Sequence, residues 1–119
     1  MISKLLRCSL LVALIFTFFQ ALAENNSWLI GNWLHTYDPD GDTQDRLTFA
    51  EDGKFTTTEV SSGRKIDGSY LVRTDMVKIN LTRQEKIFMK IDLTYDESKS
   101  KLYYKSGKSG NTSYYTKMK

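Results

Sequence analysis

Residues 65 to 95 read KIDGSYLVRTDMVKINLTRQEKIFMKIDLTY, and apolar side chains recur there at every second position through three successive runs. Ile66, Gly68, Tyr70 and Val72 share one side of the first run, Val77, Ile79 and Leu81 one side of the second, and Ile87, Met89, Ile91 and Leu93 one side of the third. A period of two belongs to an extended strand whose side chains alternate between faces; a helix would repeat at about 3.6 residues. Thr74-Asp75 supplies a tight polar turn between the first two runs. Three consecutive one-sided strands joined this closely predict an antiparallel sheet with one buried face.

The same alternation extends in both directions. Strands are expected over 30–37, 45–50, 54–61, 65–73, 76–82, 86–95, 101–105 and 112–117, separated by clusters of Gly, Asp, Ser and Asn. Asp52-Gly53 between alternating runs is a strong hairpin signal, and the single proline, Pro39, falls in a loop. Eight short strands with hairpin-length connections predict an all-β fold, a small eight-stranded antiparallel up-and-down barrel, since closing the sheet removes the edges an open one would expose.

The amino end differs in kind. Lys4 and Arg7 precede an apolar run from Leu10 to Phe19, and Ala21-Leu22-Ala23 has the small-x-small form that signal peptidases cut. The run is about ten residues, half the roughly twenty that a spanning helix needs, so residues 1–23 are expected to be a cleaved signal peptide and residues 24–119 the single mature domain. Cys8 follows Arg7 upstream of the apolar run, a placement unlike a lipoprotein cleavage site, so no stable membrane anchor is expected. Removing Lys4 and Arg7 from the 17 basic residues leaves 15 against 14 acidic ones, a formal charge of +1 rather than +3. A nearly neutral domain lacks the field that gathers nucleic acid, and a periplasmic or secreted location follows from the signal. The mature domain has no cysteine, so packing alone must hold it.

Gly31-x-Trp33, then Leu47-Thr48-Phe49 before Asp52-Gly53-x-Phe55, then Gly68-x-Tyr70, together resemble the small bacterial lipocalin-like domains, whose pattern runs G-x-W, L-x-F-x-x-D-G-x-F, G-x-Y. The resemblance spans most of the mature chain and implies a barrel plugged at one end by Trp33. Lipocalin-type barrels often lay an arginine of the last strand over that ring; here the last strand offers Tyr114, Tyr115 and Lys117, and Lys117 is the expected cation.

Individual motifs yield little chemistry. Asp38-x-Asp40-Gly41-Asp42 suggests calcium, but counting from Asp38 puts Thr43 and Phe49 where an EF-hand needs glycine and glutamate, so a solvated loop and no metal are expected. Gly107-Lys108-Ser109 lacks the earlier glycine of a phosphate loop, and the Asn25, Asn80 and Asn111 sequons are expected to be bare in a bacterial export. There is no mature cysteine, no G-x-S-x-G elbow and no cofactor motif, so an enzyme is not expected, nor a cofactor. His35, the only histidine, shares by alternation a face with Trp33 and Tyr37.

The expected function is that of a non-enzymatic, monomeric binding protein. A small apolar ligand at the barrel mouth would meet Trp33, His35, Tyr70 and Tyr104. Alternatively, Phe88, Tyr103 and Tyr115, each beside a lysine and all expected to point outward, would form a stripe for a protein partner, as in an inhibitor or immunity protein neutralising an enzyme or toxin.

Overall fold

The computed structural model describes residues 26–119, so the signal-peptide reading of residues 1–23 lies outside the described residues. Every regular element among them is a strand: β1 (Gly31–Tyr37), β2 (Asp45–Phe49), β3 (Lys54–Glu59), β4 (Lys65–Val72), β5 (Met76–Arg83), β6 (Lys86–Thr94), β7 (Lys101–Lys105) and β8 (Thr112–Lys117). Each pairs antiparallel with its sequence neighbours, and β8 returns to β1, closing the barrel. The expected boundaries stand within two residues of these throughout, because the alternation and turn residues that mark them are local.

The inner face of the barrel carries the expected apolar residues: Leu47, Phe49 and Phe55 from β2 and β3, Val77, Ile79 and Leu81 from β5, Leu93 and Leu102 from β6 and β7. β4 and β5 approach closely at Gly68. A Cβ built there would lie 2.2 Å from the carbonyl oxygen of Asn80, so only glycine fits.

One end of the barrel is stoppered. The turn Asn26–Leu29 lies across it, Leu29 and Trp33 are wholly buried, and the Trp33 indole Nε1–H donates to the Leu29 carbonyl at 2.9 Å. Trp28 packs edge-on against Trp33 and tilts against Tyr95. Lys117 is at this end too, but its ammonium donates to the Trp28 carbonyl at 2.8 Å, and the cation facing an aromatic ring is Lys99, over Trp28. Spending Lys117 on a carbonyl closes a donor–acceptor pair that the turn would otherwise leave open.

Four local features depart from simple alternation. A bulge between His35 and Tyr37 turns Tyr37 to the outside, where it stacks on Tyr114, so Tyr37 does not share the inner face with His35 as expected. Tyr115, expected outside, is instead 7% exposed and points inward. The six-residue loop between β7 and β8 fixes Tyr103 opposite Tyr114 and Leu102 opposite Tyr115; with Leu102 in the core, Tyr115 must face in as well. The third feature is a seam. β6 and β7 share the single pair Thr94↔Tyr103, and the part of β6 before Thr94 has no ladder partner on that side. Met89 lies in that unpaired stretch and is half exposed; a further bulge at Phe88 sets Ile87 opposite Thr82, out of phase with Met89, and it too is about half exposed, so only Ile91 and Leu93 of the expected set pack into the core.

Candidate functional site

The end opposite the tryptophan plug is open. Its rim is made by the β1–β2, β3–β4 and β7–β8 loops, and inside lies a cavity of about 330 Å³. That volume falls at the lower end of the range for small-molecule sites, about 300–1,000 Å³. Leu47, Phe55, Ile79, Leu81, Ile91 and Leu93 form an apolar floor and wall. They face inward because each occupies the buried phase of its strand, and the plug keeps the floor from extending through the barrel.

Polar groups gather above that floor. Asp45, the first residue of β2, shares the inward phase of Leu47 and Phe49. Its carboxylate accepts from the Tyr115 hydroxyl at 3.0 and 3.1 Å and from the Thr57 hydroxyl at 3.1 Å. His35 Nδ1 lies 3.5 Å from the same carboxylate, and the imidazole stacks on the Tyr115 ring at 4.5 Å. Burial, and then the negative charge of Asp45, push the Tyr115 phenol well above its ordinary range, so it remains a hydrogen-bond donor at any physiological pH. The His35 Nε2 is buried and has no hydrogen-bond partner, and the side chain as a whole is 8% exposed.

The rim is acidic. Asp38, Asp40 and Asp42 bring carboxylate oxygens within 4.8 Å of one another. Two of the three are committed to the loops themselves. Asp38 accepts from the backbone N–H groups of Asp40 and Asp42, and Asp40 accepts from the Ser109 hydroxyl and the Asn111 amide, both at 2.7 Å. The Asn111 and Ser109 bonds hold the Asp40 carboxyl below its ordinary range, and the pair latches the β1–β2 loop to the β7–β8 loop. Glu59 faces Arg64 at 3.4 Å on the far side of the rim.

The residues expected to touch a ligand separate into two groups. His35 and Tyr104 line the cavity. Trp33 is sealed in the plug, and Tyr70 stands near the closed end with its hydroxyl on the Ala50 carbonyl. The Tyr70 phenol is raised chiefly by burial, then by Asp52 and Glu51. Both were expected at the mouth because they share the inner face; neither is there, because each lies toward the stoppered end of its strand. Asp45, Thr57, Arg64, Ser113 and Tyr115 line the cavity without having been singled out as ligand contacts. For Asp45 the signal was present, since it continues the alternation of Leu47 and Phe49.

The outward stripe is also rearranged. Tyr103 meets Tyr114 edge-on, Tyr114 stacks on Tyr37, and Lys101 sits over Tyr114 at 4.6 Å, so the outer aromatic cluster joins β7, β8 and β1. Tyr115 is excluded from it by facing inward, and Phe88 stands apart on the β5–β6 hairpin under Arg83. Comparison of the chain with protein-family profiles, with curated proteins and with solved structures found no match in any of the three.

Proposed function

We propose that this chain is an exported, non-enzymatic, lipocalin-like binding protein that carries a small, largely apolar molecule in the open end of its barrel. The observation that carries this reading is the cavity: apolar side chains form its floor, a packed plug closes the barrel beneath it, and polar groups are confined to its upper part. An apolar molecule entering that space exchanges water contact for side-chain contact at about 25 cal/mol per Å² of surface buried. Of the ionisable groups inside, Asp45 and Tyr115 are tied to each other and to Thr57, and His35 is stacked on Tyr115, an arrangement that shapes a wall more readily than it attacks a substrate. The signal-like segment at residues 1–23 supports export, and the G-x-W and D-G-x-F pattern supports the lipocalin-like reading.

The test is titration with a neutral fluorophore, N-phenyl-1-naphthylamine, read by its emission rise in an apolar site. Saturable uptake of one molecule per chain is expected, lost in Ile91→Trp, which fills the cavity from its wall, and kept in Trp33→Phe. Absence of saturable uptake would contradict carriage. A second reading, contact with a protein on the outer wall as in an inhibitor, is favoured by the Tyr37–Tyr114–Tyr103 cluster with Lys101. It would gain from a failed titration together with binding to a purified partner enzyme that Tyr114→Ser abolishes.

A further inference from the structure

We propose that the β5–β6 hairpin docks this barrel reversibly on an anionic lipid surface, an interaction that goes beyond carriage and does not depend on it. The first observation is an apolar run. Ile87, Phe88 and Met89 are consecutive and each about half exposed, and Lys86 to Lys90 are exposed without alternation. A strand in a barrel wall hides every second residue, so this stretch is wet on both faces. The cause is visible in the pairing: β6 has no ladder partner on its β7 side before Thr94, and the bulge at Phe88 puts Ile87 out of phase with Met89. Three exposed apolar residues in a row are what a soluble surface avoids unless something covers them.

The second observation is charge. Residues 83–90 hold Arg83, Lys86 and Lys90 against Glu85 alone, a net +2, whereas the whole chain beyond residue 23 carries +1. Lys65, at the start of β4, and Arg83, at the end of β5, border one groove in which Asp67 is the single carboxylate. The acidic rim residues Asp38, Asp40 and Asp42 belong to the β1–β2 loop, which the strand order places across the barrel from the β5–β6 hairpin. An anionic surface therefore attracts one side of the open end and repels the other, and the approach is fixed with the hairpin down and the β1–β2 loop held away. Each part of the hairpin suits that surface. The Arg83 guanidinium lies 4.6 Å over the Phe88 ring, so it can meet a lipid phosphate in bidentate fashion while the ring enters the acyl boundary. Lys86 and Lys90 reach headgroups on apolar stems. The unpaired backbone along the β6 edge needs water, which keeps the hairpin in the interface and out of the hydrocarbon. A rigid protein would cover one face of the hairpin, and a second copy would set +2 against +2; a fluid anionic boundary covers both faces and complements the charge.

Vesicle flotation tests this, comparing equal parts phosphatidylglycerol and phosphatidylcholine with phosphatidylcholine alone, at low and high salt. Binding to the anionic vesicles is expected to be at least about tenfold stronger than to phosphatidylcholine and to weaken as salt rises, since each cation near such a surface contributes roughly fivefold. The paired substitution Ile87→Ser and Phe88→Ser should lower partition onto anionic vesicles at least about tenfold. Lys86→Gln with Lys90→Gln should lower it about tenfold or more there and leave binding to phosphatidylcholine unchanged. All four positions are exposed, so urea midpoints close to that of the wild type are expected and separate lost binding from lost folding. No flotation of the wild type, equal flotation with both vesicles, or variants that float like the wild type overturns the proposal. So does a vesicle-free dimer that Ile87→Ser with Phe88→Ser dissociates, which would assign the hairpin to a second copy. None of these outcomes bears on the cavity, whose fluorophore titration is read separately.

Discussion

Replacing Trp33 by alanine should cost this barrel a large share of its stability. Trp33 heads the fully buried side chains by volume and has no exposed surface. Truncating a core tryptophan to alanine removes about 3–5 kcal/mol through lost transfer energy and the void left behind. The Leu29 carbonyl also loses its indole donor, and a buried carbonyl without a partner adds about 1–3 kcal/mol. Partial collapse of the Asn26–Leu29 turn into the gap would recover some of this, so a loss of about 4–6 kcal/mol is expected. A domain of the length described here has a total of about 5–14 kcal/mol, at roughly 0.05–0.15 kcal/mol per residue. The variant should therefore unfold at a Tm lower by about 20 °C or more. Trp33→Phe keeps an aromatic plug and loses mainly the N–H bond, so it should cost about 1–3 kcal/mol. Urea unfolding followed by far-ultraviolet circular dichroism is the suitable assay, because tryptophan emission changes with the substitution itself. A Trp33→Ala midpoint within about 1 kcal/mol of wild type would refute the description of the closed end as a packed stopper.

Other expectations follow from single positions. Gly68→Ala places a Cβ 2.2 Å from the Asn80 carbonyl, where ordinary C···O contacts need about 3.3 Å; β4 and β5 must part by about 1 Å, and urea unfolding should show a loss of about 2 kcal/mol or more. Glu85→Gly should stabilise by about 0.5–1 kcal/mol in the same assay: at φ 65° relief of left-handed strain, about 1–2 kcal/mol, exceeds the added freedom of the unfolded chain, about 0.4–1 kcal/mol, and a loss would contradict this. The Asp40 carboxyl is held below its ordinary range, chiefly by Asn111 and then Ser109, so its latch is fully present above the unfolded value of about 3.9 and is lost as pH falls through the lower folded value. Amide shifts of residues 106–111 should follow that acid transition in the wild type and lose it in Asp40→Ala.

The strand order was legible because each strand signals itself locally: Val77, Ile79 and Leu81 alternate cleanly, and Asp52-Gly53 marks its hairpin. What was not legible depends on departures from period two. The bulge after His35 leaves no residue signature in His35-Thr36-Tyr37, so alternation assigned Tyr37 to the wrong face. The β5–β6 turn uses Gln84 and Glu85 at positive φ, without the glycine or asparagine that normally announces such a turn. The seam between β6 and β7 is a property of pairing, and nothing in Ile87 to Met89 says that their neighbour strand diverges. Tyr115 is a different case, since the length of the β7–β8 loop already places it opposite Leu102 and hence inside. The same distinction divides the candidate site. His35 and Tyr104 could be placed in the cavity by phase alone, whereas separating the mouth from the plug required knowing which end of each strand Trp33 and Tyr70 occupy, and that depends on the stopper formed by Asn26–Leu29.

Carriage in the open half of the barrel is most directly tested by proton–nitrogen correlation spectra of the protein titrated with octan-1-ol, a neutral probe. Saturable shifts are predicted at Thr57, Ile91, Tyr104 and Ser113 around the cavity, with the Trp33 indole and Tyr70 unmoved. Spectra that never saturate, or that move only at the outer Tyr37–Tyr114 stack, would contradict it.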